Sequence, residues 1–537
     1  KRYGKNKNIW GWQIDNEPGA KEDYSQASQA AFRKWVKDKY QTIEALNEAW
    51  GTAFWGITFS SFDQIKIPNA SSINWWGFNQ HMLLDFKRFN ADVQADFLDM
   101  QAEILRRHIA PDQFITTNYV SLIFDADPRR TRNLDFIAYT SYPNNGSANL
   151  GELGFRLGGH LNLAFANDYF RPIKGVTGVL EIQPGQVNWG RINPLLLPGA
   201  VRMWLWHSYA AGGSIASSYR YRQPLYGIEQ YHAGVITTDG VTPSQGGKDY
   251  MRFISEIKTI RKAYNPKARY PQKLAERRTA ILWSHENWWD HNRQPQSVQW
   301  NLMGHVQKYH EILKSFGAPV DFIAENDDFN KYNVVVIPAY QAVDSALIQK
   351  WEDYARSGGH LVITCRTGSK ERNGHLWEGG MAMPIYGLIG AEISNYDQLL
   401  ENKTGEIQME DRKYAWNNWG ELVEPEPGTE TWAQHTDQFY APKAVVVARK
   451  LGKGTVSYIG VDTDDARLER DVLQRVFAKA GIAVEEYPQG VFVNWRDGFW
   501  IGVNYSSAEY TIEIPEKAEI LIGNGTLKPG EVVVWKE

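Results

Sequence analysis

Apolar runs recur in the first half of the chain, and they stop at polar or charged residues. The first run is Ile9–Asp15, which Asn16 and Glu17 follow directly. Runs of the same kind lie at Phe114–Val120, Phe136–Tyr142, Val176–Ile182 and Ser214–Tyr221. Continuous apolar runs are typical of strands buried on both faces, as in parallel sheets. The pattern therefore predicts five parallel strands with polar side chains gathered at their carboxyl ends.

Helical patterns separate these strands. They cover Gln29–Tyr40, Gln80–His108, Gly159–Asn167 and Pro198–Ala211. Alternation of strand and helix predicts an α/β fold of the (β/α)8 TIM-barrel type, in which functional residues lie at the carboxyl ends of the strands. Five strands do not close an eight-stranded barrel. We therefore predict an open five-stranded arc over residues 1–270, without the first three βα units of a complete barrel.

A second α/β pattern begins near residue 275. Its predicted strands are Thr279–Trp283, Val334–Pro338, Leu361–Thr364 and Thr455–Val461. Its predicted helices are Ser345–Arg356, before the third strand, and Leu468–Ala480, after the fourth. This order favours a doubly wound, flavodoxin-like domain over residues 275–482. The segment has neither a GxGxxG loop nor a Walker loop, which favours a structural or assembly role. Short strands separated by turn signals then predict a small antiparallel β domain over residues 483–537.

Composition narrows the classes of function. The 537 residues include 58 basic and 62 acidic side chains, a formal net charge of −4. That balance gives no reason to expect a nucleic-acid or anionic-membrane partner. No apolar run approaches the roughly 20 residues of a membrane span. The single cysteine, Cys365, excludes an internal disulfide and any multi-cysteine metal site.

Two glutamates at predicted strand ends are the main candidates for chemistry. Glu17 ends the first run, and Glu181 lies within the apolar sequence VLEI. An acidic residue in such a run is costly to bury unless it is paired or points into a polar site. Hydrolysis of a glycosidic bond needs one protonated acid and one ionised carboxylate. The alternative for each residue alone is a structural carboxylate, and their matched strand-end positions favour the catalytic interpretation.

An aromatic residue and a polar pair follow the same predicted rim. The chain contains 22 Trp, and one of them, Trp189, follows Glu181 closely enough to stack on a sugar ring. Packing is the alternative role for this side chain. Glu229 and His232 would share one face of a helical turn at i, i+3 and could bind a sugar hydroxyl. A surface ion pair is the alternative for these two residues.

Together these segments resemble glycoside hydrolase family 42, the β-galactosidases of the four/seven barrel superfamily. The resemblance rests on GWQIDNE (11–17), VLEIQPGQVNW (179–189), YRYR (219–222) and GIEQYHAG (227–234). VVVIPAY (334–340), GGHLVIT (358–364) and RTGSKERNG (366–374) resemble the trimer-forming domain of that family. The resemblance extends over essentially the whole chain. It implies a retaining β-galactosidase that removes terminal β-galactose, acts as a homotrimer and needs no cofactor.

Position by position, the resemblance also implies roles for individual residues. Glu17 would be the general acid/base, Asn16 would hold the 2-hydroxyl, and Glu181 would be the nucleophile of a double displacement. Tyr142 would lie beside the nucleophile. Three further residues would line the galactose site: Trp189, Glu229 and His232. A retaining mechanism predicts carboxyl groups about 5–5.5 Å apart.

This sequence also departs from the family pattern. Some members bind a structural zinc through cysteines just after the Asn-Glu pair, and residues 18–24 contain no Cys, so no metal is expected there. An arginine from an earlier strand, which holds the sugar in the family, would precede Lys1. A signal peptide would precede Lys1 as well. The single cysteine is compatible with the cytoplasm, which is the expected location, with the periplasm as the alternative.

Other interpretations remain open on the sequence alone. An incomplete barrel could serve as a non-catalytic carbohydrate-binding or scaffold protein. An amidotransferase-like nucleophile is disfavoured because Cys365 lacks the Gly-x-Cys-x-Gly elbow, and an inert buried thiol is expected instead. His285 and His291 are six residues apart, which does not match the HExxH zinc motif. An aromatic insertion at Trp75-Trp76 would favour longer galactan fragments over lactose as substrates.

Overall fold

The computed structural model describes residues 2–68, 79–120, 125–146 and 150–537. The aromatic pair Trp75-Trp76 lies outside these residues. Within the described part of the chain, no helix combines the length and the apolar character that crossing a membrane requires.

The first 260 residues contain a parallel arc of strands, as the alternating pattern predicts. Its strands are β1 (Gly11–Gln13), β2 (Phe114–Thr116), β3 (Asn118–Tyr119), β4 (Ala138–Ser141), β5 (Thr177–Ile182) and β6 (Gly213–Ser218). β1 pairs with β2, and β3, β4, β5 and β6 pair in that order, all in parallel. β2 and β3 form one predicted strand that is interrupted at Thr117. The described strands of this region therefore make an open arc with five strand positions.

Seven α-helices of the described residues lie between and after these strands. They are α1 (Gln26–Tyr40), α2 (Ile43–Ala49), α3 (Gln80–Arg106), α4 (Gly154–Leu157), α5 (His160–Lys174), α6 (Ala200–Ala210) and α7 (Gln245–Ile260). α5 is longer than its apolar pattern predicts, since it continues through Pro172 to a left-handed Gly175 at its C-cap. Side-chain caps begin α1, α2, α3 and α7, where Ser, Thr or Asn oxygens accept from the first turn.

The central part of the chain is built on one mixed sheet. Its elements up to residue 364 are α8 (Gln272–Glu276), β7 (Thr279–Leu282), α9 (His285–Arg293), α10 (Leu302–Ser315), β8 (Val320–Ile323), β9 (Val334–Ile337), α11 (Ser345–Ser357) and β10 (His360–Thr364). The parallel strands lie in the order β10-β9-β7-β8. This is the doubly wound, flavodoxin-like arrangement that the sequence predicts.

The last part of this region adds an antiparallel extension to the sheet, in which the strands over residues 391–451 were not predicted, whereas the strand Thr455–Val461 and the helix Leu468–Ala480 were. It comprises α12 (Tyr386–Ile389), β11 (Ala391–Asp397), β12 (Gly405–Met409), β13 (Arg412–Trp416), β14 (Trp419–Pro425), β15 (Glu430–His435), β16 (Ala444–Leu451), β17 (Gly454–Ile459), β18 (Val461–Asp462) and α13 (Arg467–Lys479). β17 joins the two parts, because it pairs in parallel with β10 and antiparallel with β16. In β12 buried and partly exposed residues alternate. Such one-sided strands lack the continuous apolar runs on which the sequence prediction relied.

The C-terminal residues form the predicted antiparallel β structure. Its strands are β19 (Val491–Arg496), β20 (Phe499–Asn504), β21 (Tyr510–Thr511), β22 (Glu519–Ile522), β23 (Thr526–Leu527) and β24 (Val532–Lys536). Four of them make a sheet in the order β19-β20-β24-β22, and β21 pairs with β23.

A buried ionic cluster joins the N-terminal arc to the central sheet. Asp168 on α5 is 2% exposed, and it accepts from Nε2 of His310 at 3.0 Å on α10. Nζ of Lys314, one turn further along α10, lies 3.2 Å from the same carboxylate, and Arg171 contacts it at 3.3 Å. The two cations and the histidine hold the pKa of Asp168 well below its usual range against the effect of burial. The cluster therefore fixes α5 against α10.

Most of the aromatic side chains serve packing. The largest fully buried side chains include Trp50, Trp204, Trp206, Trp289, Trp351 and Trp416. Their distribution over both the arc and the central sheet agrees with the prediction that most Trp residues are core. Trp189 differs from them, since half of its surface is exposed.

Candidate active site

Glu181 lies near the carboxyl end of β5, in a half-buried position. The hydroxyl of Tyr142 donates to its Oε2 at 2.8 Å, and Nδ2 of Asn118 donates to its Oε1 at 3.1 Å. Burial raises the pKa of Glu181, and the negative charges of Glu17 and Glu229 raise it further, while both donors act in the opposite direction. Each carboxylate oxygen therefore has one fixed donor.

Glu17 and Asn16 follow β1 in an irregular backbone segment. Asp15 and Glu17 have φ angles of +52° and +49°, in the left-handed region that only a tightly specified backbone imposes on non-glycine residues. The backbone N–H of Glu17 donates to Oδ1 of Asn118 at 3.3 Å. Oδ1 of Asn16 accepts from Gln13 and Asn118, each at 3.2 Å. Nδ2 is therefore the group of Asn16 that can donate to a substrate hydroxyl.

The two carboxylates belong to one electrostatic site. The charge of Glu17 contributes to the raised pKa of Glu181, and the same charge raises the pKa of Tyr142 together with Glu181. Such a pair can divide the work of glycoside hydrolysis, one carboxyl group acting on the leaving oxygen and the other on the anomeric carbon.

Aromatic rings form one wall beside Glu181. The ring of Trp189 meets the ring of Tyr142 edge to face, with centroids 5.0 Å apart at 88°. On the other side, the ring of His232 lies 5.8 Å from Tyr142. Because half of the surface of Trp189 is exposed, it offers a face on which the apolar side of a sugar ring can stack.

Glu229 and His232 lie in a turn after β6 rather than in a helix. The backbone N–H of His232 donates to the carbonyl of Glu229 at 2.9 Å. Glu229 accepts from the hydroxyl of Tyr219 at 2.7 Å, and Arg220 lies 3.3 Å away. His232 is fully buried, and its Nε2 lies 3.1 Å from the carbonyl oxygen of Tyr219. The ion pair of this turn is therefore Arg220–Glu229, and His232 is held separately.

Burial lowers the pKa of His232, although the nearby Glu229 acts in the opposite direction. Its Nδ1 is buried and has no hydrogen-bond partner. A neutral imidazole with one unpaired nitrogen can exchange a hydrogen bond with a substrate hydroxyl.

Sequence reasoning missed several polar residues of the site. Asn118 contacts both carboxylate segments and is fully buried. Nε2 of Gln13 donates to Oδ1 of Asn118 at 2.7 Å, and Oγ1 of Thr140 accepts from Nδ2 of Asn118 at 2.8 Å. Tyr219 and Arg220 were missed as well. The available signal was position, since all five lie at or next to the carboxyl ends of predicted strands.

Known proteins match this chain over nearly its whole length. The family model described as β-galactosidase, glycoside hydrolase family 42, matches residues 1–260. Those for the β-galactosidase trimerisation domain and C-terminal domain match residues 277–483 and 491–537. A β-galactosidase from Thermus thermophilus is 30% identical over 558 residues, covering 100% of this chain and 80% of that protein. The chain belongs to the glycoside hydrolase family 42 β-galactosidases.

Solved structures extend the comparison of this family 42 chain. The structure of a β-galactosidase from the haloarchaeon Halorubrum lacusprofundi matches with a TM-score of 0.91 and 27% sequence identity. The match covers 100% of this chain and 80% of that chain. A β-galactosidase from the psychrophilic Marinomonas ef1 gives a TM-score of 0.89 and 28% identity, with 100% of this chain and 81% of that chain covered. The family and the fold predicted from the sequence motifs are thus confirmed. The trimerisation-domain match further supports a homo-oligomer.

The cysteine and the two histidines that the sequence analysis considered, Cys365, His285 and His291, are all buried in this family 42 chain. Cys365 is fully buried after β10, and burial raises the pKa of its thiol. His285 and His291 are buried among tryptophans, with Trp283 donating to the first and Trp300 to the second. Among the residues that the structure describes, no three His, Cys, Asp or Glu side chains come together as metal ligands.

Proposed function

We propose that this family 42 chain removes terminal non-reducing β-D-galactose from galactosides or galacto-oligosaccharides, with retention of configuration. The proposal rests on Glu17 and Glu181, two strand-end carboxylates that share one electrostatic site. The buried amide of Asn118 joins their segments, since it accepts from the backbone N–H of Glu17 and donates to the carboxylate of Glu181. The relatives described above are β-galactosidases.

The reaction is a double displacement. An oxygen of Glu181 attacks the anomeric carbon while Glu17 donates its proton to the glycosidic oxygen, so the bond to the aglycone breaks and a glycosyl ester forms. Glu17, now ionised, removes a proton from water, and that water attacks the anomeric carbon. The ester bond breaks, Glu181 leaves as a carboxylate, and β-galactose is released.

The binding roles follow from the contacts of the individual side chains. Nδ2 of Asn16 donates to the 2-hydroxyl of the sugar. Tyr142 donates to Glu181 and steadies the nucleophile. Trp189 stacks on the apolar face of galactose, and Glu229 with His232 contacts the remaining hydroxyls.

Replacing the nucleophile tests the proposal. Glu181→Ala should lower kcat for 4-nitrophenyl β-D-galactoside by about 10⁴-fold or more, as loss of a covalent catalyst does. Added azide should restore part of the turnover and give an α-configured galactosyl azide. With Glu17→Ala, azide should instead give the β-configured product, because the nucleophile is intact.

Two results would contradict these assignments. A folded Glu181→Ala variant that azide does not rescue would argue against the nucleophile. A wild-type chain that binds galactosides without hydrolysing any of them would favour the non-catalytic carbohydrate-binding or scaffold role. A screen of β-galactosides that differ in linkage, read by galactose release, defines the preferred substrate.

We further propose a homotrimer, built from structural units at residues 1–270, 275–482 and 483–537. The match of the central residues to a trimerisation domain supports it. Light scattering should give three times the 61.4 kDa chain mass, and limited proteolysis should cut near residues 270–275 and 483. We also propose a cytoplasmic location, which cell fractionation tests.

A further inference from the structure

The side chain of Asn118 occupies a central place between the two carboxylate segments. It lies at the start of β3, fully buried. Its Oδ1 accepts from Nε2 of Gln13 at 2.7 Å and from the backbone N–H of Glu17 at 3.3 Å. Its Nδ2 faces acceptors, namely Oε1 of Glu181 at 3.1 Å, Oγ1 of Thr140 at 2.8 Å and Oδ1 of Asn16 at 3.2 Å.

The surroundings fix the orientation of this amide. A rotation by 180° would point NH₂ at the donors of Gln13 and Glu17 and would point the oxygen at the carboxylate of Glu181. Both contacts would be repulsive, so only the orientation described satisfies the network. The amide oxygen therefore accepts from Gln13 and from the backbone of Glu17, and the amide nitrogen donates to Glu181, Thr140 and Asn16.

We propose that Asn118 is a positioning residue that holds the acid/base segment and the nucleophile in register with one side chain. This inference rests on the function proposed above for Glu17 and Glu181. Among the described residues, Tyr142 is the other side chain that donates to Glu181, and it makes no hydrogen bond to the Asn16–Glu17 segment. A change at Asn118 should therefore disturb both halves of the reaction.

The amide also has more acceptors than protons. Its two N–H protons serve three acceptors, of which the closest is Thr140. When Glu181 forms the glycosyl ester and loses its charge, Oδ1 of Asn16 at 3.2 Å remains as an acceptor for the amide nitrogen. The hydrogen bond from Asn118 to Glu181 can thus be strong when Glu181 is an ionised carboxylate and weak when it is a glycosyl ester. In neither state is a buried N–H left without an acceptor.

The charges around Glu181 give the proposal a measurable consequence. Glu17, Glu229 and Tyr142 act directly on Glu181. Next to them, Arg220 pairs with Glu229, and the ring of His232 lies 5.8 Å from that of Tyr142. Both glutamates raise the pKa of Glu181, while the hydrogen bonds from Tyr142 and Asn118 lower it. Removing the donor of Asn118 should therefore raise the pKa of Glu181 in the free enzyme, which sets the acidic limb of kcat/KM.

Asn118→Ala and the nearly isosteric Asn118→Asp test the proposal. For Asn118→Ala, kcat should fall about 10- to 100-fold with KM changed less than about threefold, and the acidic limb should move up by about one pH unit. For Asn118→Asp, the limb should move further, since a third carboxylate then acts on Glu181 besides those of Glu17 and Glu229. The loss of kcat should persist with a 2,4-dinitrophenyl galactoside, whose leaving group needs no acid.

Thr177→Val is the matched control. Thr177 begins β5 at the end opposite to Glu181, and its buried hydroxyl donates to the carbonyl of Ile137 at 2.8 Å. The variant should lower the Tm without moving the acidic limb. If instead it moves the limb as far as Asn118→Ala, destabilisation alone explains the shift and the proposal is wrong.

Other outcomes also decide the question. Folded Asn118 variants with a wild-type acidic limb and wild-type kcat would overturn the proposal, and Asn118→Asp decides it alone if the alanine variant does not fold. If the loss of kcat disappears with the dinitrophenyl substrate, Asn118 positions only the acid/base Glu17. That result would overturn its joint role with Glu181. Failure of the proposed function is separate, because it would appear as an inactive wild type or an active Glu181→Ala variant.

Discussion

The surroundings of Glu181 destabilise the ionised form of its carboxyl group. Burial and the charges of Glu17 and Glu229 raise its pKa, although Tyr142 and Asn118 donate to it. A carboxyl group whose pKa is higher in the folded than in the unfolded state binds its proton more tightly when folded. Its contribution to stability is therefore lost as the pH rises from the unfolded pKa, near 4.3, through the folded pKa. At neutral pH the nucleophile lowers the stability of the fold.

Glu181→Gln should therefore raise the Tm at pH 7, by about 1–2 °C, while it abolishes turnover. The gain should shrink at pH 4, where the wild-type carboxyl group is largely protonated. Calorimetry at the two pH values measures both effects.

A second glutamate provides the control for this prediction. Glu256 accepts from Nε of Arg202 at 2.7 Å and from Nε1 of Trp206 at 2.9 Å, and these donors lower its pKa. Glu256→Gln should lower the Tm at pH 7. A lower Tm for Glu181→Gln as well would contradict the account of Glu181.

Trp189→Ala should weaken substrate binding more than chemistry. The variant loses the exposed ring face beside Tyr142, and stacking of this kind contributes about 0.5–1.5 kcal/mol. KM should rise about 2- to 12-fold, with a smaller change in kcat. Trp10→Ala is the control, because Trp10 is 81% exposed and precedes β1 at the end away from Glu17. An unchanged KM for Trp189→Ala would assign this ring to packing.

At the scale of elements, a close backbone contact packs α7 against the end of β5, the strand that carries Glu181. Gly246, near the start of α7, faces the carbonyl oxygen of Pro184, and a Cβ at this position would lie 1.7 Å from it. Pro184 follows β5 by two residues. The helix can therefore approach the end of the strand only because residue 246 has no side chain.

Gly246→Ala should push α7 away from Pro184. Overpacking of this kind costs about 1–3 kcal/mol, so the Tm should fall by several degrees and kcat should fall with it. Gly387→Ala is the matched control, because a Cβ at Gly387 meets nothing within 4 Å. Equal Tm values for both variants would show that the approach of α7 to β5 tolerates a methyl group.

The strands of the arc were predictable because continuous apolar runs ended in polar residues. Glu17 and Glu181 were found by the same rule. Asn118 was not, since its role depends on the parallel register that brings β3, β4 and β5 side by side. Likewise, strands such as β12 and β13 partly or fully expose every second residue or more, so they left no continuous apolar run. Local patterns predicted the elements, whereas contacts across strands needed the fold.

At the scale of the whole molecule, the Asp168 cluster links the N-terminal arc to the central sheet. Its carboxylate is 2% exposed, and Arg171 and Lys314 on two different helices depend on it. Because these cations hold the pKa of Asp168 low, its contribution to stability is present above the unfolded pKa. That contribution is lost as the pH falls toward the folded pKa.

Asp168→Ala should lower the free energy of unfolding by about 3–5 kcal/mol at pH 7, because it leaves buried cations unpaired. The Tm of the variant should also depend less on pH below about 4 than that of the wild type. Asp38→Ala is the control, since Asp38 pairs with Lys34 at an exposed position, where such pairs contribute about 0–1 kcal/mol. A loss no larger than that of Asp38→Ala would show that the cluster does not link the two parts.

The buried thiol after β10 makes the chain a convenient subject for optical measurement. Cys365 is the only cysteine in the sequence, and it is inaccessible, with a thiol that resists ionisation. Maleimide dyes react with thiolates at the surface, so the native chain should stay unlabelled while folded. A cysteine placed at Phe439, which is 95% exposed, would then carry the only attached dye. Energy transfer between donor- and acceptor-labelled copies would report association of the chains as it happens.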